Sequence, residues 1–190
     1  MKNISAVILA AGSGTRIGIP KLKLKHQEEF FVNIIANKLK FAGIENIVCV
    51  IRKDDLDWFN ENTAGLEYSI NSNPELGMIS SARLGIEKYI KQDGVVLFPV
   101  DHPFVKGITI KQLINDFEKN KDSVIKPYYK GKSGHPLIVP ISLFNYIISS
   151  ENSKTLNEII KESGILVIRT DVDDDGILRN INSPEDLNIH

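Results

Sequence analysis

Three glycines, an arginine and a lysine follow one apolar run near the start of the chain, in Leu9-Ala10-Ala11-Gly12-Ser13-Gly14-Thr15-Arg16-Ile17-Gly18-Ile19-Pro20-Lys21. Gly12 and Gly14 let the backbone turn and bring N–H groups close to an anion. The Arg16 guanidinium is a fork of donors suited to phosphate oxygens, and Lys21 is a point charge able to follow charge that develops at phosphorus. The segment is not a P-loop, because no Gly-Lys-Ser/Thr ends it. It is not the dinucleotide fingerprint either, because Ile17 stands where the third glycine belongs. An ordinary turn with solvated charges is the competing reading; the density of glycine and cationic residues directly after a buried run favours an anion site.

A carboxylate stands in the corresponding place after another apolar run, in Val100-Asp101-His102-Pro103. At the carboxyl end of a central strand it is placed to hold Mg2+ against a polyphosphate, since that ion takes one or two carboxylates together with phosphate oxygens and water. The alternative is an aspartate that caps a turn, and His102 is read as shaping that turn. Ser80 and Ser81 precede a helical stretch and are expected to cap it, with their hydroxyls and the helix N–H groups facing the same region. Gly134-His135-Pro136 opens a further strand. Gly134 permits close approach and His135 offers a donor to a substrate phosphate; a structural hydrogen bond within a hairpin is the competing role. The chain has four histidines, none at metal-ligand spacing, and one cysteine, Cys49, within an apolar run. A histidine-rich metal site, a Cys-cluster zinc site and an intramolecular disulfide are thereby excluded, and Cys49 is expected to be a buried, inert thiol.

These residues need elements to position them. Short Val/Ile-rich runs at 4–9, 46–51, 66–70, 95–100, 123–127, 136–139 and 165–168 read as strands. Between them lie segments of helical period: Phe31, Ile34, Ile35, Lys38 and Leu39; Ile79, Ala82, Ile86 and Ile90; Ile110, Leu113, Ile114 and Phe117; and helices near 143–148 and 156–160. Strands alternating with helices make βαβ units and an α/β fold with a mostly parallel sheet covered on both faces. The short connection between 123–127 and 136–139 predicts an antiparallel pair, so the sheet is mixed. In such a sheet ligands bind beyond the carboxyl ends of the strands, where the glycine-rich loop and Asp101 both lie. The acidic run from Asp171 to Asp175 is read as a solvated turn.

Length and charge set the bounds. The 190 residues, with neither repeat nor linker, predict one domain over 1–190. A chain of that size buries roughly 70% of the surface it exposes unfolded, so it needs no disulfide or metal staple. Lys and Arg number 23 against 24 Asp and Glu. That balance argues against a binder of duplex DNA. At 42% apolar and 25% charged residues the composition is that of a globular chain rather than a disordered one. No apolar run reaches the ~18 residues of a membrane helix. The first twelve residues imitate a short secretion signal, but cleavage there would remove a strand and the start of the glycine-rich loop, so the expected location is the cytoplasm.

The pattern Leu-Ala-Ala-Gly-x-Gly-x-Arg-x-Gly-x-Pro-Lys resembles the signature of nucleotidyltransferases with a Rossmann-like fold, and within them the branch of molybdenum cofactor cytidylyltransferases and guanylyltransferases. Three later motifs fall in that family's order: Asn73-Pro-Glu-Leu-Gly77-Met78-Ile-Ser80-Ser81, Asp101 in an Asp-x-Pro setting, and Gly134-His135-Pro136. Near the C-terminus, Asn180-Ile-Asn182-Ser-Pro184-Glu-Asp186-Leu matches a stretch that usually reads Asp-Ile-Asp-Thr-Pro-Glu-Asp-Leu, with asparagine in place of both early aspartates. The resemblance implies a Rossmann-like three-layer sandwich. It implies a nucleotide site at Leu9, Ala10, Ala11, Gly12, Ser13, Gly14, Arg16, Lys21, Asn73, Ser80 and Ser81. It places the acceptor at Gly134 and His135, Mg2+ at Asp101 and Asn182, and catalytic roles on Lys21, Arg16 and Asp101. The implied reaction moves a nucleotide from an NTP to a small phosphate acceptor and releases pyrophosphate. Leu-Ala-Ala-Gly, where guanylyltransferases usually carry Leu-Ala-Gly-Gly, points to CTP, and the branch points to molybdopterin. The implied product receiver is a molybdoenzyme or cofactor-handling partner, met transiently. A sugar or alcohol phosphate as acceptor, and a non-catalytic nucleotide- or pterin-binding accessory protein, are the alternatives.

Overall fold

The computed structural model describes residues 3–12, 18–63, 65–182 and 186. Its first strand, β1 (Ile4–Leu9), is buried at every position. A two-residue hairpin follows, β2 (Lys25–His26) and β3 (Glu29–Phe30), and then α1 (Phe31–Phe41). Next come β4 (Ile47–Arg52), α2 (Leu56–Asn62), β5 (Glu67–Asn71), α3 (Met78–Lys88), β6 (Gly94–Pro99) and α4 (Gly107–Lys119). The last part runs β7 (Val124–Tyr129), β8 (Lys132–Ser133), β9 (Leu137–Pro140), α5 (Ile141–Ser149), α6 (Leu156–Ser163) and β10 (Val167–Asp171).

The main sheet runs in the order β10-β7-β9-β6-β1-β4-β5, with β8 paired to β7. Strands β1, β4, β5 and β6 are mutually parallel, and β10 is parallel to β7. Only β9 breaks the direction within that path: it pairs antiparallel with β6 on one side and with β7 on the other. The mixed, mostly parallel sheet expected from the alternation is therefore present, and the 123–139 pair is antiparallel as its short connection requires.

Alternation along the strands makes the third dimension. Ile4, Ala6 and Ile8 of β1 join a core with α1 and α4, whereas Val7 and Leu9 join a second core with α3, α5 and α6. Ile47, Cys49 and Ile51 against Val48 and Val50 repeat the division in β4. A period of two sends neighbours to opposite faces, so continuous apolar runs become a sheet buried on both sides, a three-layer sandwich. Cys49 is buried and burial pushes its thiol far up, as expected of an inert core residue.

Four details differ from the sequence reading. Helix α2 went unread, because its seven residues bury only Phe59 and show no stripe. Likewise the β2–β3 hairpin carries no alternation to reveal it. Ile90 lies beyond the end of α3 and is 48% exposed, and Tyr89 takes the buried place instead. The acidic run is not a solvated turn throughout: Asp174 is buried, and its Oδ2 accepts from Lys106 N at 2.8 Å and Thr109 Oγ1 at 2.6 Å. That carboxylate sits at the start of α4, where the helix dipole and unpaired N–H groups favour an anion.

Gly85 sets how closely α3 approaches β1, since a Cβ there would overlap both γ-methyls of Val7. Gly85→Ala is expected to lose about 1–3 kcal/mol in urea unfolding by overpacking, and Val7→Ala in the same chain to recover part of it. Additive losses in the double variant would show that the two do not share this contact.

Candidate active site

The carboxyl ends of β1 and β6 open onto one cleft of about 290 Å³. Leu9, Ala11 and Gly12 bring β1 to it, and Pro99, Val100 and Asp101 bring β6. The two strand ends are laced together, with Val100 N donating to Leu9 O at 3.1 Å. The opposite wall is Pro74, Gly77, Met78 and Ser81, and Lys21 closes the set. Ala10 points the other way, into the core shared with α1. Ser13, Gly14 and Arg16 lie outside the described residues.

Lys21 begins a short 3-10 turn whose middle residue, Leu22, is fully buried and so fixes the direction of its neighbours. Its Nζ donates to Asp101 Oδ2 at 2.5 Å and to Asn182 Oδ1 at 2.7 Å. The second carboxylate oxygen, Oδ1, is 2.8 Å from His102 Nδ1. Burial works against ionisation of Asp101, but the hydrogen bonds and charges of His102 and Lys21 outweigh it and hold the carboxyl down at about 2. The C-terminal segment is pinned to the same turn: Ile181 N donates to Asp101 O at 2.9 Å, and Asn182 N donates to Asp186 Oδ2 at 2.8 Å. Residues 21, 101 and 182, far apart in sequence, thus meet at one point.

The serine pair does not cap α3. Gly77, at φ 80°, occupies the cap position, and Ser80 and Ser81 are the third and fourth residues of the helix, both buried. Ser80 Oγ turns back to Gly77 O at 2.8 Å. Asn71, which the sequence reading passed over, organises the pair: its Nδ2 donates to Ser80 Oγ at 2.8 Å and Ser81 Oγ at 2.9 Å, and its Oδ1 accepts from Asn73 N at 2.9 Å. Of the expected residues on this wall only Ser81 lines the cleft; Ser80 and Asn73 stand behind it. In sequence Asn71 and Asn73 look alike, and only burial separates them.

Gly134 and His135 lie on the far side of Asp101. A Cβ at Gly134 would overlap the Ile177 carbonyl, to which His135 N donates at 3.0 Å. The glycine is therefore required by the close approach of the 177 segment. The His135 ring lies edge-on to His102, with centroids 4.9 Å apart. Its Nδ1 is buried with no partner among the described residues. Burial first, and then the neighbouring His102, lower its pKa to about 4, so the ring is neutral at pH 7.

Comparison with known proteins places this geometry. The sequence profile described as a MobA-like NTP transferase domain matches residues 6–171. A probable molybdenum cofactor guanylyltransferase of Natranaerobius thermophilus is 26% identical, over 97% of this chain and 93% of its own length. The bifunctional protein GlmU of Clostridium perfringens is 29% identical over 72% of this chain, which spans about a third (31%) of that longer relative. Among solved structures, Rv0371c of Mycobacterium tuberculosis superposes with a TM-score of 0.84 at 20% identity, over 97% of this chain and 95% of that one. The same mycobacterial protein has been solved in complex with manganese, with a TM-score of 0.74 at 18% identity over 90% and 88% of the chains. These likenesses establish the Rossmann-like sandwich.

The lowered His135 pKa carries a sign. Between its unfolded value of 6.5 and about 4, the unfolded chain binds the proton that the folded chain refuses. Stability is therefore expected to rise with pH across that window, by at most about 1.4 kcal/mol per pH unit from this group. Urea unfolding of the wild type and of His135→Gln at pH 4.5, 5.5 and 6.5 checks it. The variant should lose that part of the slope, and an identical slope in both would remove the assignment.

Proposed function

The chain belongs to the MobA-like NTP transferase family, and from that premise we propose that it transfers CMP from CTP to the terminal phosphate of molybdopterin. The observation that carries the reading is the meeting of Lys21 Nζ, Asp101 Oδ2 and Asn182 Oδ1 beside the cleft that Ala11 and Gly12 line. Two oxygens that already accept from a single ammonium converge on one cation position. One carboxylate and one amide oxygen form a hard donor set suited to Mg2+, which fills its remaining positions with water and phosphate oxygens. Asp101 and Asn182 would hold that ion, and when bound it supplies charge neutralisation on the phosphate oxygens.

In this reaction a terminal phosphate oxygen of the acceptor attacks the α-phosphorus in line; the new P–O bond forms as the bond to pyrophosphate breaks. The chain's task is positioning and compensation of charge. Gly12, and Gly14 beyond the described residues, present backbone N–H groups to the triphosphate. Lys21, on a flexible four-carbon stem, exchanges its carboxylate partner for phosphate oxygens, and Arg16 serves the leaving pyrophosphate. No protein base is required, since a phosphate monoester has its second pKa at about 6 and is largely ionised at neutral pH. His135 faces the acceptor, where a neutral imidazole donates without adding charge, and Gly134 lets the 177 segment close in behind it.

CTP is favoured by Ala11, which lines the cleft and whose methyl leaves less room for a purine than glycine does. GTP is the second reading, supported by the name of the Natranaerobius relative. A sugar phosphate is the second acceptor, after the name of a structural neighbour, a putative glucose-1-phosphate thymidylyltransferase of Bacillus anthracis. Pyrophosphate release with Mg2+, CTP or GTP, and molybdopterin or glucose 1-phosphate tests all four combinations. The expected result is release with CTP and molybdopterin. Release only with GTP or only with the sugar phosphate overturns the corresponding choice, and no release with any pair leaves a binding protein without turnover.

Asp101→Ala is expected to stay folded by circular dichroism and to lose turnover at least ~100-fold, the equivalent of about 2.7 kcal/mol of charge stabilisation. Near-normal activity at limiting Mg2+ would remove the role. Lys21→Ala is expected to lower kcat more than it raises the dissociation constant for CTP, because the ammonium meets charge that grows in the transition state. A large rise in the dissociation constant with unchanged kcat would make its contribution uniform binding instead.

A further inference from the structure

The turn that carries Lys21 makes a second ion pair, which the transfer reaction as derived above does not use. Lys23 Nζ lies 2.8 Å from Asp55 Oδ1, and the Asp55 side chain is 3% exposed. We propose that Lys23 and Asp55 are positioning residues: the pair holds the turn in place while Lys21 lets go of Asp101 and takes up phosphate. The proposal rests on the transferase reading for that exchange at Lys21.

Geometry comes first. A 3-10 turn has three residues per turn, so Lys21, Leu22 and Lys23 leave it in directions about 120° apart. Lys21 reaches Asp101 and Asn182. Leu22 is fully buried in the core shared with α1. Lys23 reaches Asp55, the last residue of the short turn between β4 and α2. Its ammonium also stands 5.7 Å from the centre of the Trp58 ring, which packs edge-on against Phe30. Only the Lys21 anchor is given up when phosphate replaces Asp101. Of the two that remain, burial of Leu22 is non-directional, whereas an ammonium held at one buried carboxylate oxygen fixes a direction.

Energetics comes second. Asp55 immediately precedes α2, but its side chain accepts no capping hydrogen bond from that helix. Its other oxygen, Oδ2, is buried with no hydrogen-bond partner among the described residues. A buried carboxylate with one idle oxygen carries a desolvation cost that a single ion pair offsets only in part. Apolar residues of the same size commonly serve stability as well. Stability therefore does not account for the pair. Its geometric consequence does: it fixes the turn against the end of β4, and with it the height of the Lys21 ammonium beside the cleft. A displacement of about 1 Å at a reacting group slows a positioned reaction by up to ~100-fold.

The test compares the wild type with two variants. Lys23→Met with Asp55→Leu replaces the pair by apolar side chains of similar size, and Asp55→Asn keeps the shape while removing the charge. Three quantities are read: melting temperature, Mg2+-dependent pyrophosphate release with the nucleotide and acceptor that the wild type uses, and hydrogen exchange at the amides of Lys23 and Leu24. Those amides donate to Pro20 O at 2.9 Å and to Lys21 O at 3.2 Å. The double variant is expected to melt within a few degrees of the wild type and to lose kcat about 10-fold. Its dissociation constant for a non-hydrolysable CTP or GTP analogue should stay within about two-fold. Both amides should exchange about 10-fold faster, with or without the analogue. In a Lys21→Ala chain the same replacement is expected to leave kcat unchanged, because the group being positioned is gone. Asp55→Asn is expected to lower kcat in the same way, and it decides the matter if the double variant does not fold. Unchanged kcat and exchange, whatever the melting temperature, overturn the proposal, as does a loss of kcat that persists undiminished in the Lys21→Ala chain. Failure of the transferase reading is seen separately, as a wild type that releases no pyrophosphate with any acceptor while the exchange contrast persists.

Discussion

A half-buried carboxylate that must remain ionised governs this end of the molecule. Burial alone would favour the neutral form of Asp101, and its cost is offset only because Lys21 and His102 each take one of its oxygens. Lys21 enters from the turn after β1, His102 belongs to the turn after β6, and Asn182 arrives from the C-terminal segment to share the same ammonium. An ion pair of this kind brings the loops of different βα units to one point, which the sheet alone would leave merely adjacent. It also keeps two oxygens aimed at a single cation, the property a metal-assisted phosphoryl transfer demands.

The C-terminal segment is the second support. Asp174 ties it to the start of α4 through Lys106 N and Thr109 Oγ1. Gly176 lies against the carbonyl of Phe104, and the Ile177 carbonyl presses on Gly134. Ile181 N then reaches the backbone of Asp101 itself. At Gly134 and Gly176 backbone approaches backbone closely, which is possible because neither has a Cβ, and at Asp174 the carboxylate makes the link. The segment whose acidic run reads as a solvated turn in the sequence is a strut that holds both His135 and Asn182 in place.

How legible this was differs by element. The central strands were legible to within a residue or two, because continuous Val/Ile runs have few alternatives to a buried parallel sheet, whereas the edge strand β10 ends three residues later than its apolar run and the two-residue β8 has no apolar run at all. The helices with apolar stripes, α1, α3 and α4, were equally plain. Helix α2 was not, since Phe59 alone is buried and one apolar residue makes no period. The serine pair was recognised as important but misassigned, because a serine one turn inside a helix and a serine at its cap share the same neighbours in sequence. Only the φ of 80° at Gly77 decides between them.

The amino-acid sequence by itself determined the layered fold and pointed to the two strand ends that bring Gly12, Lys21 and Asp101 to one cleft. Those follow from local rules, a period of two or 3.6 and the chemistry of single side chains, which a linear string records. Tertiary structure decided the partners. That Lys21 bridges Asp101 and Asn182, that Asn71 rather than Asn73 binds both serines, and that Asp174 is buried all depend on distances between segments up to 161 residues apart. Such distances are set by how helices settle on the sheet, where a single methyl at Gly85 or Gly134 would intrude, and no local pattern encodes them.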